Sequence, residues 1–599
     1  THPMGAIQLG NAGNIQVQGS RNFLSGATIE YNGMAPQWIG NGHPAVPGVN
    51  LICSNPFGVM LLNEIVTGDF TALGDVDMQL FSLTADGNIF IPEGVSCTPQ
   101  QVNLEGGNEQ QISTFGGTFQ NLTINKSGNS VSLTSPLNLK GKLVIESPNT
   151  ILHSNGQLTL LSTSDEIAGT ACVGPLLSGS SIAGEVTVQR HMAGEGRIYR
   201  YIASPVQNST VASLKDDFPV TGKFLDPSTG AGINSSGASL YQYDQSVGGL
   251  AEGWKPYPSS GLASANPLVV GEGYAAFIRK ATGSTVWDVT GPLNQGTIEL
   301  SIDFTANNQP SNGWNLVGNP YACAIQWDEA GPDKWTIENI SSVIAIRDAG
   351  SGGGTYKYWD MDDNYSDITG GQIASGQSFW VRATGENPRL TIREGVKVLE
   401  GATFFRKEPT VIPSFAVSLS KDSVTDIAFF KIRPTSKPGL DLWDGLKLDN
   451  EQFDISFVGE EDISMAIYAT NKLPCDTIVH LKLKDAIAGA YAFKLMPKHD
   501  FARYQYTLID KFSGQETLLK TNGALEIVVT SDPASYAPDR LALRLVENIP
   551  ADDLRIIGSP MACENGLASL TLIGAQTGIT YTVWDDSSKL LASSKAESD

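Results

Sequence analysis

Between Asn121 and Leu160 the chain reads NLTINKSGNS VSLTSPLNLK GKLVIESPNT ILHSNGQLTL. Apolar residues fall in short alternating sets: Leu122 and Ile124, Val131 and Leu133, Leu137 and Leu139, Leu143 and Ile145, Ile151, then Leu158 and Leu160. Gly, Asn, Ser or Pro stands between the sets. Alternation at a period of two places each set on one face of a strand. Sets this short, punctuated by turn formers, suit strands of three or four residues. Leu122 and Leu143 are 21 residues apart, as are Leu137 and Leu158. Three short strands in about 20 residues is the arithmetic of a parallel β-helix or similar solenoid, in which each coil is stable only against its neighbours. A stack of antiparallel sandwiches is the other reading, but these strands are too short for it. The coil reading predicts that Leu122 lies beside Leu143.

A longer echo runs through the same region. Ile29-Glu-Tyr-Asn-Gly33 with Gln37-Trp38-Ile39 reads against Val102-Asn-Leu-Glu-Gly106 with Gln110-Gln111-Ile112. Asn50-Leu51-Ile52 matches Asn121-Leu122-Thr123, Val59-Met-Leu61 matches Val131-Ser-Leu133, and Phe70 falls on Leu143. The matched positions keep nearly one offset, and they keep their order. We therefore read residues 1–183 as a β-solenoid with a 72-residue internal repeat.

The 599-residue composition fits that reading and excludes several classes. Glycine accounts for 63 residues, a mark of many turns. Charged residues are 17%, and the net charge is −23, which disfavours broad phosphate neutralisation of a nucleic acid. No apolar run reaches the length of a membrane-spanning helix. The chain opens on Thr1 and is read as a mature or excised piece. Six cysteines (Cys53, Cys97, Cys172, Cys323, Cys475 and Cys563) are widely spaced, with no CxxC. Buried free thiols are the plain expectation, with room for one or two long-range bridges. A β-helix polysaccharide lyase or hydrolase needs clustered carboxylates or a basic residue near calcium. Residues 1–185 carry only Arg21, Lys126, Lys140 and Lys142 as bases, and Asp69, Asp75 and Asp77 read as turn residues. The six histidines form no HxxxH, and no GxSxG occurs.

From Gly184 aromatics increase and strands lengthen. Tyr199-Arg-Tyr-Ile-Ala-Ser-Pro205 reads against Gly313-Trp-Asn-Leu-Val-Gly-Asn-Pro320, and Gly271-Glu-Gly-Tyr274 against Gly376-Gln-Ser-Phe379. Leu240-Tyr-Gln-Tyr-Asp244 reads against Tyr356-Lys-Tyr-Trp-Asp360. The expectation is two related β-sandwich-like units, 184–296 and 297–405. Two features here point to chemistry. Asp360, Asp362, Asn364 and Asp367 place oxygen ligands at near-alternate positions, a pattern that suits Ca²⁺ as a cofactor. Tryptophans crowd the second of these units, as Trp314, Trp327, Trp335, Trp359 and Trp380. Trp359 and Trp380 are the candidates for stacking on a sugar ring.

Residues 406–550 alternate through six strand candidates, beginning Phe415-Ala-Val-Ser-Leu419 and ending Leu541-Ala-Leu-Arg-Leu545, and are read as a β-sandwich. Residues 551–599 hold three more, about half of an immunoglobulin-like domain, so the natural chain is expected to continue beyond Asp599. The whole is all-β, with an N-terminal solenoid, β-sandwich domains and a partial immunoglobulin-like end.

Gly313-Trp-Asn-Leu-Val-Gly-Asn-Pro-Tyr321, Ile325-Gln-Trp-Asp328 and Ile373-Ala-Ser-Gly-Gln-Ser-Phe379 together resemble a module of very large surface proteins of Bacteroidota, exported by the type IX secretion system. Tyr31-Asn-Gly33 and Asn121-Leu-Thr-Ile124 resemble the repeats that precede that module. Asp444-Gly-Leu-Lys-Leu448, Met465-Ala-Ile467 and Asp539-Arg-Leu-Ala-Leu-Arg-Leu545 resemble the sandwich that follows it. The resemblance implies an extracellular or cell-surface location. It also implies a type IX translocon and an outer-membrane shuttle protein as partners, with other surface proteins or glycans as further ones. The expected function is a non-enzymatic structural or adhesive segment. The alternative is the accessory carbohydrate-binding region of a secreted polysaccharide-degrading enzyme.

Overall fold

The computed structural model describes residues 6–9, 22–40, 43, 46–126, 128–164, 169–193, 197–222, 237–247, 249–278, 283–306, 313–328, 330–348, 354–361, 369–399, 412–437, 439–472, 476–498, 501, 504–547, 555–558, 570–575, 580–584 and 590–595. It is almost wholly β. The α-helix among these residues is the single turn Ala212–Lys215, and no helix is long and apolar enough to cross a membrane. Two compact units divide the chain near residue 408.

The first unit begins as a parallel solenoid with three faces. Nine strands line the first face, from Ala6–Leu9 and Thr28–Tyr31 through Ser130–Leu133 and Ile151–His153 to Ser181–Ala183, all parallel. The third face runs from Ile65–Thr67 through Asn121–Ile124 and Lys142–Ile145 to Cys172–Val173. The second comes in two stretches: Gln37–Ile39, Val59–Leu61 and Val76–Asp77, then Gly117–Phe119, Leu137–Leu139, Leu158–Leu160 and Glu185–Met192. Inward positions stack in columns. Ile65, Leu83, Val102, Leu122, Leu143 and Val173 follow one another on the third face, each buried. Leu122 pairs with Leu143, as their spacing in the sequence requires.

The coil length is not constant. On the first face Thr28 pairs with Asn50, Leu51 with Phe70, Phe70 with Ile89, Ile89 with Ile112 and Ser130 with Ile151. The step along the chain is shortest from Leu51 to Phe70 and from Phe70 to Ile89, longer from Ile89 to Ile112, and longest from Ile151 to Ser181. The longer echo therefore does not superpose like on like. It carries Ile29, Leu51 and Phe70 of the first face onto Val102, Leu122 and Leu143 of the third, and Val59 of the second onto Val131 of the first. Inward positions on all three faces share the same, mostly apolar, alternation, so the match is real in composition but is not the structural period.

Side chains at one corner tie each coil to the next. Asn50 Oδ1 accepts from the Asp69 N–H (2.9 Å), Asp69 Oδ1 from the Asn88 N–H (2.6 Å), and Asn88 Oδ1 from the Gln111 N–H (2.8 Å). A Cβ on Gly68 or Gly87 would lie 2.4 Å from the Asn50 or Asp69 oxygen. The Gly-Asp and Gly-Asn pairs are thus one device, a short polar side chain reaching under a residue that has none.

The last second-face strand, Glu185–Met192, pairs parallel with Leu158–Leu160 on one side and antiparallel with Thr285–Pro292 on the other. Val186, Val188, Trp287 and Val289 join the same apolar core as Leu158 and Ile182. The boundary expected at 183/184 is therefore a change of pairing direction inside one sheet, and residues 184–296 do not form a separate core.

Beyond it lie two sheets of identical topology. The first has the order Ile198–Ile202, Tyr274–Ile278, Leu240–Tyr243, Trp254–Pro256. The second has the order Trp314–Gly318, Ser378–Arg382, Val343–Asp348, Thr355–Asp360. Register repeats with topology. Tyr201 faces Ala275 as Leu316 faces Trp380, and Tyr241 faces Ala275 as Ala345 faces Trp380. Leu240–Tyr243 thus takes the place of Val343–Asp348, one strand away from the Tyr356–Asp360 match read from sequence. Leu240–Tyr243 and Thr355–Asp360 both alternate aromatics, whereas Val343–Asp348 has none, which is why sequence misassigns them.

The two sheets meet about a pseudo-twofold axis. Ile202 bridges to Gln377 and Glu272 to Val317, the Ala203 N–H donates to Gly376 O (3.0 Å), and the Gly318 N–H donates to Gly271 O (2.8 Å). Ala203 and Gly318 are equivalent, and a Cβ on Gly318 would stand 2.2 Å from the Ala203 Cβ and 2.7 Å from Glu272 O. The sandwich is formed between the two halves, not within each, which corrects the expectation of two self-contained units.

The second unit is an eleven-stranded sheet wrapped over one core. All six expected strands form, from Ser414–Lys421 to Leu541–Glu547. Phe415 meets Tyr506 at 5.6 Å across the fold, although several strands separate them along the sheet. The chain ends in two hairpins, Arg555–Gly558 with Leu570–Ile573 and Thr580–Trp584 with Leu590–Lys595. Inside the sheet, Lys447 Nζ donates to Asp426 Oδ1 (2.5 Å) and lies 3.8 Å from Asp454, all three side chains nearly inaccessible. Burial, only partly offset by Lys447, raises the Asp454 carboxyl to about 7.

Both the axis and the buried carboxyl have measurable consequences. Gly318→Ala is expected to cost about 1–3 kcal/mol through overpacking at the axis, and Ala203→Gly in the same chain to recover part of it, read as thermal unfolding midpoints of the single and double variants. For Asp454, the folded state keeps a proton that the unfolded chain releases near pH 4. Stability from this group is complete below about 4 and falls by about 1.4 kcal/mol per pH unit up to about 7, then stays level. Asp454→Asn should remove that fall, so amide exchange in 414–432 and 454–470 should be slower in the variant than in the parent at pH 8 and alike at pH 4.

Candidate ligand-binding surface

The residues singled out from sequence are largely core. Trp359 donates from Nε1 to Trp327 O (2.8 Å) and belongs to the same buried core as Trp335, Phe379 and Val381. Trp380 is enclosed by Tyr243 (4.6 Å between centroids), Trp254 (5.6 Å), Tyr201 (6.1 Å) and Trp314 (6.1 Å). At 4% and 2% exposure neither ring offers a face to a sugar. Trp314, Trp327 and Trp335 are equally buried. Trp327, Trp335 and Trp359 belong to the core of the second half, whereas Trp314 and Trp380 fill the seam between the two pseudo-symmetric sheets. There the Tyr201 and Tyr356 hydroxyls share a hydrogen bond (2.8 Å), with the Arg347 guanidinium 5.7 and 6.0 Å from the two ring centres. Burial pushes the Tyr201 hydroxyl well above the usual phenol range.

Asp360 is wholly buried and accepts from Ser342 Oγ at 3.2 Å. Asp362, Asn364 and Asp367, the rest of the expected Ca²⁺ set, lie outside the described residues. Among the described residues no three His, Cys, Asp or Glu side chains are grouped to hold a metal ion.

A different surface has the makings of a ligand site. The second solenoid face turns one side chain per coil outward: Trp38, then Met60, then Asp77, paired in register. Trp38 is 47% exposed and Met60 40%. Successive rungs are about 4.8 Å apart, so Trp38 and Asp77 are roughly 10 Å apart along the face. Met34, Phe57 and Leu73 at the turns entering this face, and Leu62 and Leu80 at those leaving it, are exposed as well. An apolar area of this kind on a folded surface marks a place that something covers.

The polar end of the row opens into a cleft of about 230 Å³ lined by Asp75, Asp77, Gln79, Ser96, Thr98 and Gln100. Its walls are held by the backbone. Asp75 Oδ1 accepts from the Ser96 N–H of the next coil (2.8 Å), and Asp77 accepts from both the Gln79 N–H (3.0 Å) and Nε2 (2.6 Å). The site therefore combines an exposed indole, a thioether and fixed carboxylate and amide groups on a rigid parallel sheet. That mixture suits a ligand with both C–H and O–H faces. The signal in the sequence was Gln37-Trp38-Ile39, where Trp38 occupies the outward position between two inward ones.

The aromatic seam and the solenoid face should respond differently to substitution. Trp380→Ala is expected to destabilise the first unit by about 3–5 kcal/mol, whereas Trp38→Ala should leave its unfolding midpoint within a degree or two, both read by calorimetry. No known family model matches this chain, and no characterised protein or solved structure is detectably similar to it.

Proposed function

We propose that this chain is a non-enzymatic, adhesive segment of an extracellular protein, displaying a glycan-binding face on its solenoid. The observation that carries this reading is the Trp38–Met60–Asp77 row running into the polar cleft. Saccharides are the ligand class whose rings present C–H patches to an indole while their hydroxyls reach carboxylate and amide groups. The rest of the molecule is consistent with display. The rungs are tied by backbone bonds and Asn/Asp caps, and the strands behind the face are packed solid. Under this reading the protein sits at the cell surface, with export by a type IX translocon and an outer-membrane shuttle protein, as the resemblance of Gly313–Tyr321 and its companions implies.

The test is binding of the full chain to an array of immobilised glycans, followed by titration of the best ligand. Trp38→Ala and Asp77→Asn should each weaken binding at least tenfold while the unfolding midpoint stays unchanged. Binding that both variants retain, or no glycan bound by the parent chain, would refute the assignment.

A further inference from the structure

Cys172 and Cys323 are far apart in the chain, in two different parts of the first unit. Cys172 opens Cys172–Val173, the last described strand of the third solenoid face, and Cys323 immediately precedes Ala324–Gln326 in the second pseudo-symmetric half. The Val173 N–H donates to Ala322 O at 2.9 Å, which locks the two backbones side by side one residue from each sulfur. The thiols contact each other through a side-chain hydrogen bond, and Cys323 Sγ also reaches Val398 O at 3.5 Å. Cys323 is fully buried and Cys172 is 6% exposed. Both are thiols in the structure.

We propose that Cys172 and Cys323 are a disulfide site that covalently staples the end of the solenoid to the second half of the pseudo-symmetric sandwich. The chemistry is thiol–disulfide exchange with a small disulfide such as oxidised glutathione. One thiolate attacks the oxidant to give a mixed disulfide and release one glutathione thiol. The second protein thiol, as thiolate, displaces the other. The protein gives up two electrons and two protons in all, and the oxidant is reduced to two thiols. The hydrogen bond with Cys172 and, after it, burial hold the Cys323 thiol protonated in the folded state, so the bond forms as the two segments come together rather than by attack on the finished fold. Cys53 and Cys97, inside the solenoid, serve as internal controls. Both are buried, and burial raises the Cys97 thiol to about 12.

The inference is independent of the glycan-binding reading and stands or falls separately. The full chain would be denatured and refolded in a buffer of oxidised and reduced glutathione, alkylated under denaturing conditions, digested, and mapped by mass spectrometry with and without reduction. The expected result is a linked pair of peptides carrying Cys172 and Cys323, lighter by two hydrogens than the free pair, with Cys53 and Cys97 alkylated. The oxidised chain should also unfold several degrees higher than the reduced one, and Cys172→Ser and Cys323→Ser should each abolish that difference. Alkylation of both cysteines after oxidative refolding, or linkage of either one to a different cysteine, would overturn the proposal. The mapping of the parent chain decides this even if a serine variant fails to fold.

Discussion

The backbone hydrogen bonds between successive coils are the interaction on which the first unit depends. No coil of about 20 residues can bury its own apolar side chains, so each coil is held by the one before and the one after. Such a stack always ends in an open edge of unpaired N–H and C=O groups, which is a template for unwanted pairing. Here the chain closes the edge of the second face itself. Glu185–Met192 continues the second face as one more parallel strand and then presents its free side to Thr285–Pro292 in antiparallel register. The middle of the protein is, in this sense, the cap of the solenoid. The shared apolar core of Leu158, Ile182, Val186, Trp287 and Val289 gives that capping its stabilisation.

The same logic explains the residues at the pseudo-twofold axis. Two related sheets pack equivalent faces together, so equivalent positions approach each other at the axis and only small residues fit. Ala203, Gly273, Gly318 and Ser378 occupy those positions, and Ser378 Oγ donates to Ile202 O at 2.6 Å. Further out the faces diverge, and the space is filled by Tyr201, Tyr243, Trp254, Tyr356 and Trp380. The aromatic density that first suggests a sugar platform is divided between this wedge, which takes Trp314 and Trp380, and the core of the second half, which takes Trp327, Trp335 and Trp359. The exposed surface chemistry lies instead on the solenoid, where a flat sheet leaves one side chain per coil to solvent.

How much of this was legible in the sequence follows from what alternation can and cannot say. A period of two identifies strands and the residues that share a face, so the Leu122–Leu143 pairing and the six strands of the second unit were readable. It does not say what covers the other face. Trp38 and Trp359 both sit in strands, yet one faces solvent and the other is buried against the Trp327 carbonyl. The difference lies in tertiary packing that is distant in sequence. The duplication of Tyr199–Pro205 in Gly313–Pro320 was visible, but whether duplicated units stand apart or pack on each other depends on the small residues at the axis. The longer echo misled because coils of unequal length, such as those from Leu51 to Phe70 and from Ile89 to Ile112, share their apolar pattern on every face. The buried Lys447, Asp426 and Asp454 gave no sequence signal, since charged residues on strands ordinarily point to water.

Capping of the solenoid by the region after residue 183 is open to test by amide hydrogen exchange. A chain ending at residue 183 would be compared with the full chain, amide by amide, in 101–124 and 151–160. If the cap holds the stack, Ile151–His153 and Leu158–Leu160 lose protection by at least a hundredfold in the shortened chain, while Gln101–Leu104 loses far less, a gradient running inward from the opened edge. Equal protection of both segments in the two chains would contradict it, because the solenoid would then terminate on its own.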